Sequence, residues 1–162
     1  PEKSNIKLWD AIKDIPEYSD FVQYLEQTGF DTILSKDESF TLFIPTNDAM
    51  DQAIAAGIIP KGWPSDKDER EKVVDFLMYH FIKGTVVFDD GEKSGSFDTN
   101  LTYQSEDGKT TLYRKLQIKN APNNLTIHDL SGQDVILEHD NANILVRKGV
   151  CHKINSVLKY YE

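Results

Sequence analysis

Several pairs of adjacent residues have side chains that could do chemistry together. Cysteine beside histidine supplies a thiol and a base for nucleophilic catalysis, and histidine beside aspartate supplies metal ligands. The pairs of interest are Cys151-His152, His128-Asp129, His139-Asp140 and Tyr79-His80. Adjacent side chains on a strand point to opposite faces, so Cys151 and His152 cannot form a dyad with each other.

His152 lies in a segment whose apolar residues alternate. Val150, His152 and Ile154 share one face of the predicted strand, and that face is apolar. A buried neutral imidazole needs hydrogen-bond partners. We therefore predict that His152 is a core histidine and not a catalytic one.

Recognisable metal and cofactor motifs are missing from the sequence. It has no H-E-x-x-H, C-x-x-C, G-x-S-x-G or glycine-rich phosphate motif, and Asp89-Asp90-Gly91-Glu92 is only a fragment of an acidic calcium loop. The two His-Asp pairs could converge across a hairpin, but isolated exposed pairs are more often incidental. No facing pair of carboxylates can be selected from the sequence. We expect no catalytic residue, no metal and no cofactor.

Two aromatic residues are candidates for contact with a partner. Trp63 precedes a predicted helix, where it is either a platform for a sugar or packing against that helix. Tyr79 lies late in the helix, about 100° from His80. Its neighbours at helical spacing are Asp75 and Lys83, which predicts a polar, accessible face.

His80 has different neighbours on the same helix. Phe76 and Leu77 lie four and three positions before it and are apolar. We therefore predict that His80 is largely buried and supports the helix end, while Tyr79 is the better contact candidate.

Composition and charge exclude some classes of partner. The chain has 162 residues, which favours one domain, and its formal net charge is −9. This charge argues against nucleic acid and against a polybasic membrane patch. No run of residues has membrane-spanning length, and the single cysteine, Cys151, allows no internal disulfide. The abrupt start at Pro1 fits a mature or excised segment.

The predicted secondary structure changes from helices to strands along the chain. The first half has helical periodicity, including a stretch over 18–34 that Gly29 interrupts, a short helix over 46–56, and a helix that Ser65 could cap and Gly84 could end. After Thr85, short β-type runs alternate with turn signals. The predicted strands are 86–88, 112–118, 125–128, 135–137, 144–146 and 150–154, and the polar segment 89–108 is predicted to be a mobile insertion. Helices followed by strands indicate an α+β domain.

The stretch "SFTLFIPTNDAM" changes from strand to helix at Pro45. Proline ends strand pairing, and Thr46 or Asn47 could accept a hydrogen bond from a free helix amide. The negative charge of Asp48 is favourable near the N-terminus of the helix, which is the positive end of the helix dipole. We interpret this corner as architectural, with either residue as the N-cap.

Three stretches together resemble the fasciclin I (FAS1) domain family, in the expected order and spacing. They are "TLFIPTNDAM", "VVDFLMYHFIKGTV" and "ILVRKGVCHKINSVLKY". The residues that match the family motifs are Pro45, Thr46, Asn47, Asp48, Tyr79, His80, Gly149, Val150, His152 and Ile154. The chain departs from the family pattern at Arg147-Lys148, Cys151 and Asn155.

The resemblance implies a twisted β-sandwich wedge with helices packed along one edge, over the single domain 1–162. It also implies a non-enzymatic adhesion or interaction domain that binds a protein or glycan at a cell surface, outside the cell or in the periplasm, beside sister domains of the same chain. A bacterial source is favoured by the absence of disulfides and by the Lys-, Asn- and Asp-rich composition. The alternative is a carbohydrate-binding module of a bacterial surface glycan-handling system.

Overall fold

The structure is a computed structural model that describes residues 8–29, 39–88, 91–122, 124–137, 144–146 and 149–160. Its helices are α1 Leu8–Ile12, α2 Ser19–Thr28, α3 Asn47–Ala55 and α4 Lys67–Tyr79, with a 3-10 turn at Pro16–Tyr18 before α2. Its strands are β1 Phe40–Pro45, β2 Phe81–Lys83, β3 Gly95–Gln104, β4 Thr111–Ala121, β5 Asn124–His128, β6 Asp134–Ile136, β7 Ile144–Val146 and β8 Gly149–Ile154. This is the α+β class that the sequence predicts.

The strands of the described ranges form one strongly bent sheet in the order β6-β5-β4-β3-β2-β1-β8-β7. Between its two halves, β2 and β3 share the residue pair Ile82↔Thr99. Phe43 of β1 and Ile154 of β8 lie in the same buried cluster as Leu116 of β4, so the two halves face each other as a β-sandwich. The predicted sandwich is confirmed.

A second core lies between the helices and the opposite face of β1 and β8. Phe21 of α2, Met50 of α3 and Phe76 of α4 pack there with Leu42 and Cys151. Because both faces of β1 are covered, all six of its residues are buried. The pairing is parallel, with Leu42↔Cys151 and Phe43↔His152 in register. This confirms the prediction that these two strands are close neighbours.

The corner after β1 is held by two residues with different roles. Thr46 is the N-cap of α3, because its Oγ1 accepts from the Ala49 amide at 3.3 Å. Asn47 reaches across to the start of α2, where its Oδ1 accepts from the Asp20 amide at 2.9 Å and its Nδ2 donates to the Pro16 carbonyl at 2.9 Å. Asp48 occupies the first turn of α3. The corner is therefore architectural.

Three sequence predictions about helix α4 and its surroundings are wrong. The N-cap is Asp66 rather than Ser65, since the Asp66 carboxylate accepts from the Glu69 amide at 3.1 Å. The helix ends at Tyr79, before Gly84, because the chain turns at His80 and Phe81 enters strand β2. The predicted strand 86–88 is absent, and this segment is held by side chains: Thr41 Oγ1 accepts from the Val87 amide at 2.8 Å.

The polar segment 89–108, predicted to be a mobile insertion, contains a strand of 10 residues. Residues Gly95–Gln104 form β3, which pairs with β4 in an antiparallel hairpin. Its polar residues face solvent on one side while Thr99 and Leu101 are buried. The predicted helical residues Phe30, Ile33 and Leu34 lie outside the described residues, as do Asp89-Asp90, His139-Asp140 and Arg147-Lys148. No helix in the described ranges is long and apolar enough to cross a bilayer.

Candidate functional site

The middle motif places His80 at the end of α4, where it is fully buried as predicted. Its Nε2 accepts from the Leu158 amide at 3.0 Å, so Nδ1 carries the proton and donates to the Phe76 carbonyl at 2.7 Å. Burial lowers the pKa of His80 to about 4, against smaller opposing effects of the Phe76 carbonyl and the Asp129 carboxylate. His80 is therefore a neutral structural link between α4 and the C-terminal segment.

The last motif places His152 in the interior of the sandwich, fully buried as predicted. Its ring stacks on Phe43 with 5.8 Å between centroids, and its Nε2 lies 2.6 Å from the Val87 carbonyl. Cys151 points the other way, into the core beneath the helices. Burial raises the pKa of the Cys151 thiol. The two side chains therefore form no nucleophilic dyad.

Gly149 of the last motif is required by close packing. Gly149 pairs with Phe40 across β8 and β1, and a Cβ atom at Gly149 would overlap the Phe40 ring. Val150 and Ile154 of the same strand are fully buried. The motif residues of β8 therefore serve packing.

Tyr79 does not lie on an accessible face, and this sequence prediction is wrong. The side chain is fully buried in the sandwich core, because the end of α4 lies between the helical layer and the β3–β5 half of the sheet. Its Oη donates to the Lys115 carbonyl at 2.8 Å, and the Leu130 amide bonds to the same hydroxyl. Burial raises the pKa of Tyr79. A direct contact between Tyr79 and a partner has no support in this placement.

Trp63 is half-buried against the helical core. The guanidinium of Arg70, in the first part of α4, lies 5.5 Å from the centre of the Trp63 ring. The indole thus packs on the helix that follows it, which was one of its two predicted roles. Trp63 and Tyr79 belong to different cores and are not brought together.

A row of polar side chains crosses the outer face of the β3–β6 half-sheet, and sequence reasoning missed it. Strand pairing aligns Ser96 with Gln117, Gln117 with His128, and His128 with Asp134. All four residues are exposed. The sequence alone suggests His128 only as a possible metal ligand beside Asp129. The usable signal is the alternation in "KLQIKN" and "LTIHD", which puts Gln117 and His128 opposite the buried Ile118 and Ile127.

A cleft of about 370 Å³ lies along this row. Its lining combines strand residues with the turn after β5: Ser96, Lys115, Gln117, His128, Asp129, Leu130 and Gly132. The Lys115 ammonium lies 2.6 Å from the Asp98 carboxylate, and His128 Nδ1 lies 2.7 Å from the Asp134 carboxylate. Each exposed base of the cleft thus faces an acid.

Asp129 fixes the turn that forms one wall of the cleft. Its side chain is 3% exposed. One carboxylate oxygen accepts from the Ser131 amide at 3.0 Å, and the other accepts from the Lys159 amide at 2.8 Å. Gln133 donates to the same carboxylate and to the Val157 carbonyl. Asp129 is therefore saturated with hydrogen bonds and holds the wall rigid.

The row contains the residue types of a serine hydrolase triad but not its geometry. Ser96 and His128 lie two strands apart, with Gln117 between them, which separates their backbones by about 10 Å. Nucleophile and base must lie within hydrogen-bond reach. Among the described residues, no group of three or more His, Cys, Asp or Glu side chains could hold a metal ion. The arrangement is suited to binding.

Comparison with known proteins gives the family. Residues 16–160 match the Fasciclin family, described as the Fasciclin domain. Human periostin is 26% identical over 156 residues, covering 93% of this chain and 16% of periostin. A solved FAS1 domain pair from the insect cell adhesion molecule Fasciclin I superposes with a TM-score of 0.65 at 14% identity, covering 96% of this chain and 51% of that one. This chain therefore spans only part of each relative, and it belongs to the fasciclin domain family.

Proposed function

We propose that this domain is a non-enzymatic adhesion or interaction module that works outside the cell, at a cell surface or in the periplasm, by binding a protein or glycan. Membership of the fasciclin domain family carries the proposal, since the insect relative is a cell adhesion molecule. The burial of His80 and His152 supports it, because the motif histidines serve packing and are not available for catalysis.

The domain is further proposed to act beside sister domains. The solved relative is a domain pair, and this chain covers 51% of it. Periostin is also much longer than this domain. Several weak contacts on one chain raise overall avidity without requiring a tight site on any single domain.

The test is retention of cells on the immobilised domain. Cells of the organism that carries the gene would flow over the folded domain and over an unrelated folded protein of similar size and net charge, coupled at equal density. We expect retention on the domain alone, and we expect heat-unfolded domain to lose it. Equal retention on the domain and on the acidic control would contradict an adhesive role.

A further inference from the structure

We propose that the cleft on the outer face of the β3–β6 half-sheet binds a neutral, hydroxyl-rich saccharide. The inference rests on the proposed adhesive function and deepens it by naming the chemical class of the partner. The cleft is lined by Ser96, Gln117 and His128 along one cross-strand row, with Lys115 and Leu130 beside it.

The side chains of the row match sugar hydroxyls. A hydroxyl and a primary amide each offer a donor and an acceptor, and an imidazole whose Nδ1–H is already bonded offers its Nε2 as an acceptor. The Asp134 carboxylate accepts from His128 Nδ1–H at 2.7 Å, which leaves Nε2 for a ligand. Strand pairing places Ser96 beside Gln117 and Gln117 beside His128, with about 5 Å between neighbours in the row. Hydroxyl groups on a saccharide can be met by such a row in succession.

The charges in and around the cleft favour a neutral ligand. Lys115 is paired with Asp98, and His128 with Asp134. The Asp129 carboxylate accepts bonds from Ser131, Gln133 and Lys159 and is almost fully buried. An acidic or basic ligand would have to break one of these pairs to gain its own counter-charge.

The backbone of the cleft floor argues against an extended peptide. A peptide that adds a strand needs an unpaired sheet edge. Strand β4 is paired on both sides, with β3 and β5, and β5 is paired with β4 and β6. Recognition in the cleft must therefore use side chains. The volume of about 370 Å³ is at the small end of the range for ligand sites, which suits a short stretch of a saccharide chain.

The walls of the cleft are organised before any ligand arrives. The Tyr79 hydroxyl bonds to the Lys115 carbonyl on β4 and to the Leu130 amide in the turn, and so joins the two walls from below. Leu130 is 37% exposed and offers an apolar surface for the C–H face of a sugar ring. A rigid site reduces the entropy cost of binding a flexible ligand.

The experiment is an NMR titration of the ¹⁵N-labelled domain. The probes are cellohexaose, xylohexaose, mannohexaose and chitohexaose, with hexagalacturonate as the acidic probe. We expect at least one neutral probe to shift the amides of Ser96, Gln117, His128 and Gly132 in a saturable manner. Gln117→Ala and Ser96→Ala should each weaken that binding by about fivefold, the loss of one hydrogen bond.

The matched control is Lys119→Ala. Lys119 is exposed on β4, two residues from Gln117 on the same face, and does not line the cleft. This variant should bind as the wild type does, and melting curves should show all three variants folded.

Three results would overturn the proposal. They are the absence of binding by every neutral probe, binding by hexagalacturonate alone, and shifts that lie outside the cleft or survive Gln117→Ala. If cells are still retained on the immobilised domain in any of these cases, the adhesive function stands, and the partner either belongs to another chemical class or is bound by another surface of the domain. If the domain neither binds a neutral probe in the cleft nor retains cells, the adhesive function is overturned as well.

Discussion

The hydroxyl of Tyr79 donates to the carbonyl of Lys115 at 2.8 Å, which ties the end of helix α4 to the strand beneath the outer cleft. A residue of the family's middle motif is thus buried and still lies directly below the proposed binding surface. The motif can influence binding through the position of β4, without touching a partner.

Tyr79→Phe tests this support. The variant keeps the ring but leaves the Lys115 carbonyl and the Leu130 amide without the hydroxyl, so the free energy of unfolding should fall by about 1–3 kcal/mol. Urea denaturation measures the loss. Tyr113→Phe is the control, since its hydroxyl bonds to Lys83 in an exposed setting and its removal should cost less than about 0.5 kcal/mol. Equal losses in the two variants would contradict a special role for Tyr79.

His80 should make stability depend on pH. Its pKa falls from 6.5 in the unfolded chain to about 4 in the fold, chiefly because of burial. Below pH 6.5 the unfolded chain takes up the proton first, so the free energy of unfolding decreases as pH falls toward 4. The decrease from this residue is at most about 3 kcal/mol.

Replacing the imidazole isolates this effect from the titration of carboxylates. His80→Gln should be less stable at pH 7, because it disturbs a buried contact, yet should lose less stability than the wild type between pH 7 and pH 4.5. Urea midpoints over that range give both slopes. Parallel curves would show that His80 does not titrate as its burial implies.

Substitutions of the two polar residues at the corner after β1 should lower the stability of the domain by different amounts. Thr46→Ala removes the α3 cap and should cost about 1 kcal/mol, whereas Thr46→Ser keeps the oxygen and should cost little. Asn47→Ala removes bonds to Pro16, Ser19 and the Asp20 amide and should cost more than Thr46→Ala. Thermal melts rank the variants, and a smaller loss for Asn47→Ala would refute the bridging role.

Gly149→Ala should destabilise the domain through its overlap with the Phe40 ring. Overpacking of this kind typically costs about 1–3 kcal/mol. The double variant Gly149→Ala with Phe40→Leu removes part of the ring and should recover some of the loss, which a double-mutant cycle can measure. Additive losses would show that the two residues do not meet as the fold places them.

Local chemistry made some features predictable from the sequence. The corner at Pro45, the break at Gly29 and the burial of His80 and His152 follow from residue type and spacing within a few positions. The inward face of β8 was predictable because alternation depends on one strand alone.

The features that depend on distant partners were not predictable in this way. The exposure of Tyr79 was predicted from its helix neighbours, but the β3–β5 half of the sheet covers that face. The sequence of β3 predicts an insertion, because the exposed side of this strand is polar and few apolar residues mark its buried side. The cleft depends on register across four strands, which no single segment encodes.

The parallel pairing of Phe40–Pro45 with Gly149–Ile154 constrains the order of folding during synthesis. Strand β8 pairs with β1 on one side and with β7 on the other, so an interior position of the sheet is filled by a segment that lies far along the chain from β1. Contacts this distant in sequence form slowly, because a long loop must close first. A nascent chain held short of Ile154 would keep β1 open on that side. The sheet of this domain would therefore stay incomplete until nearly the whole domain had been synthesised.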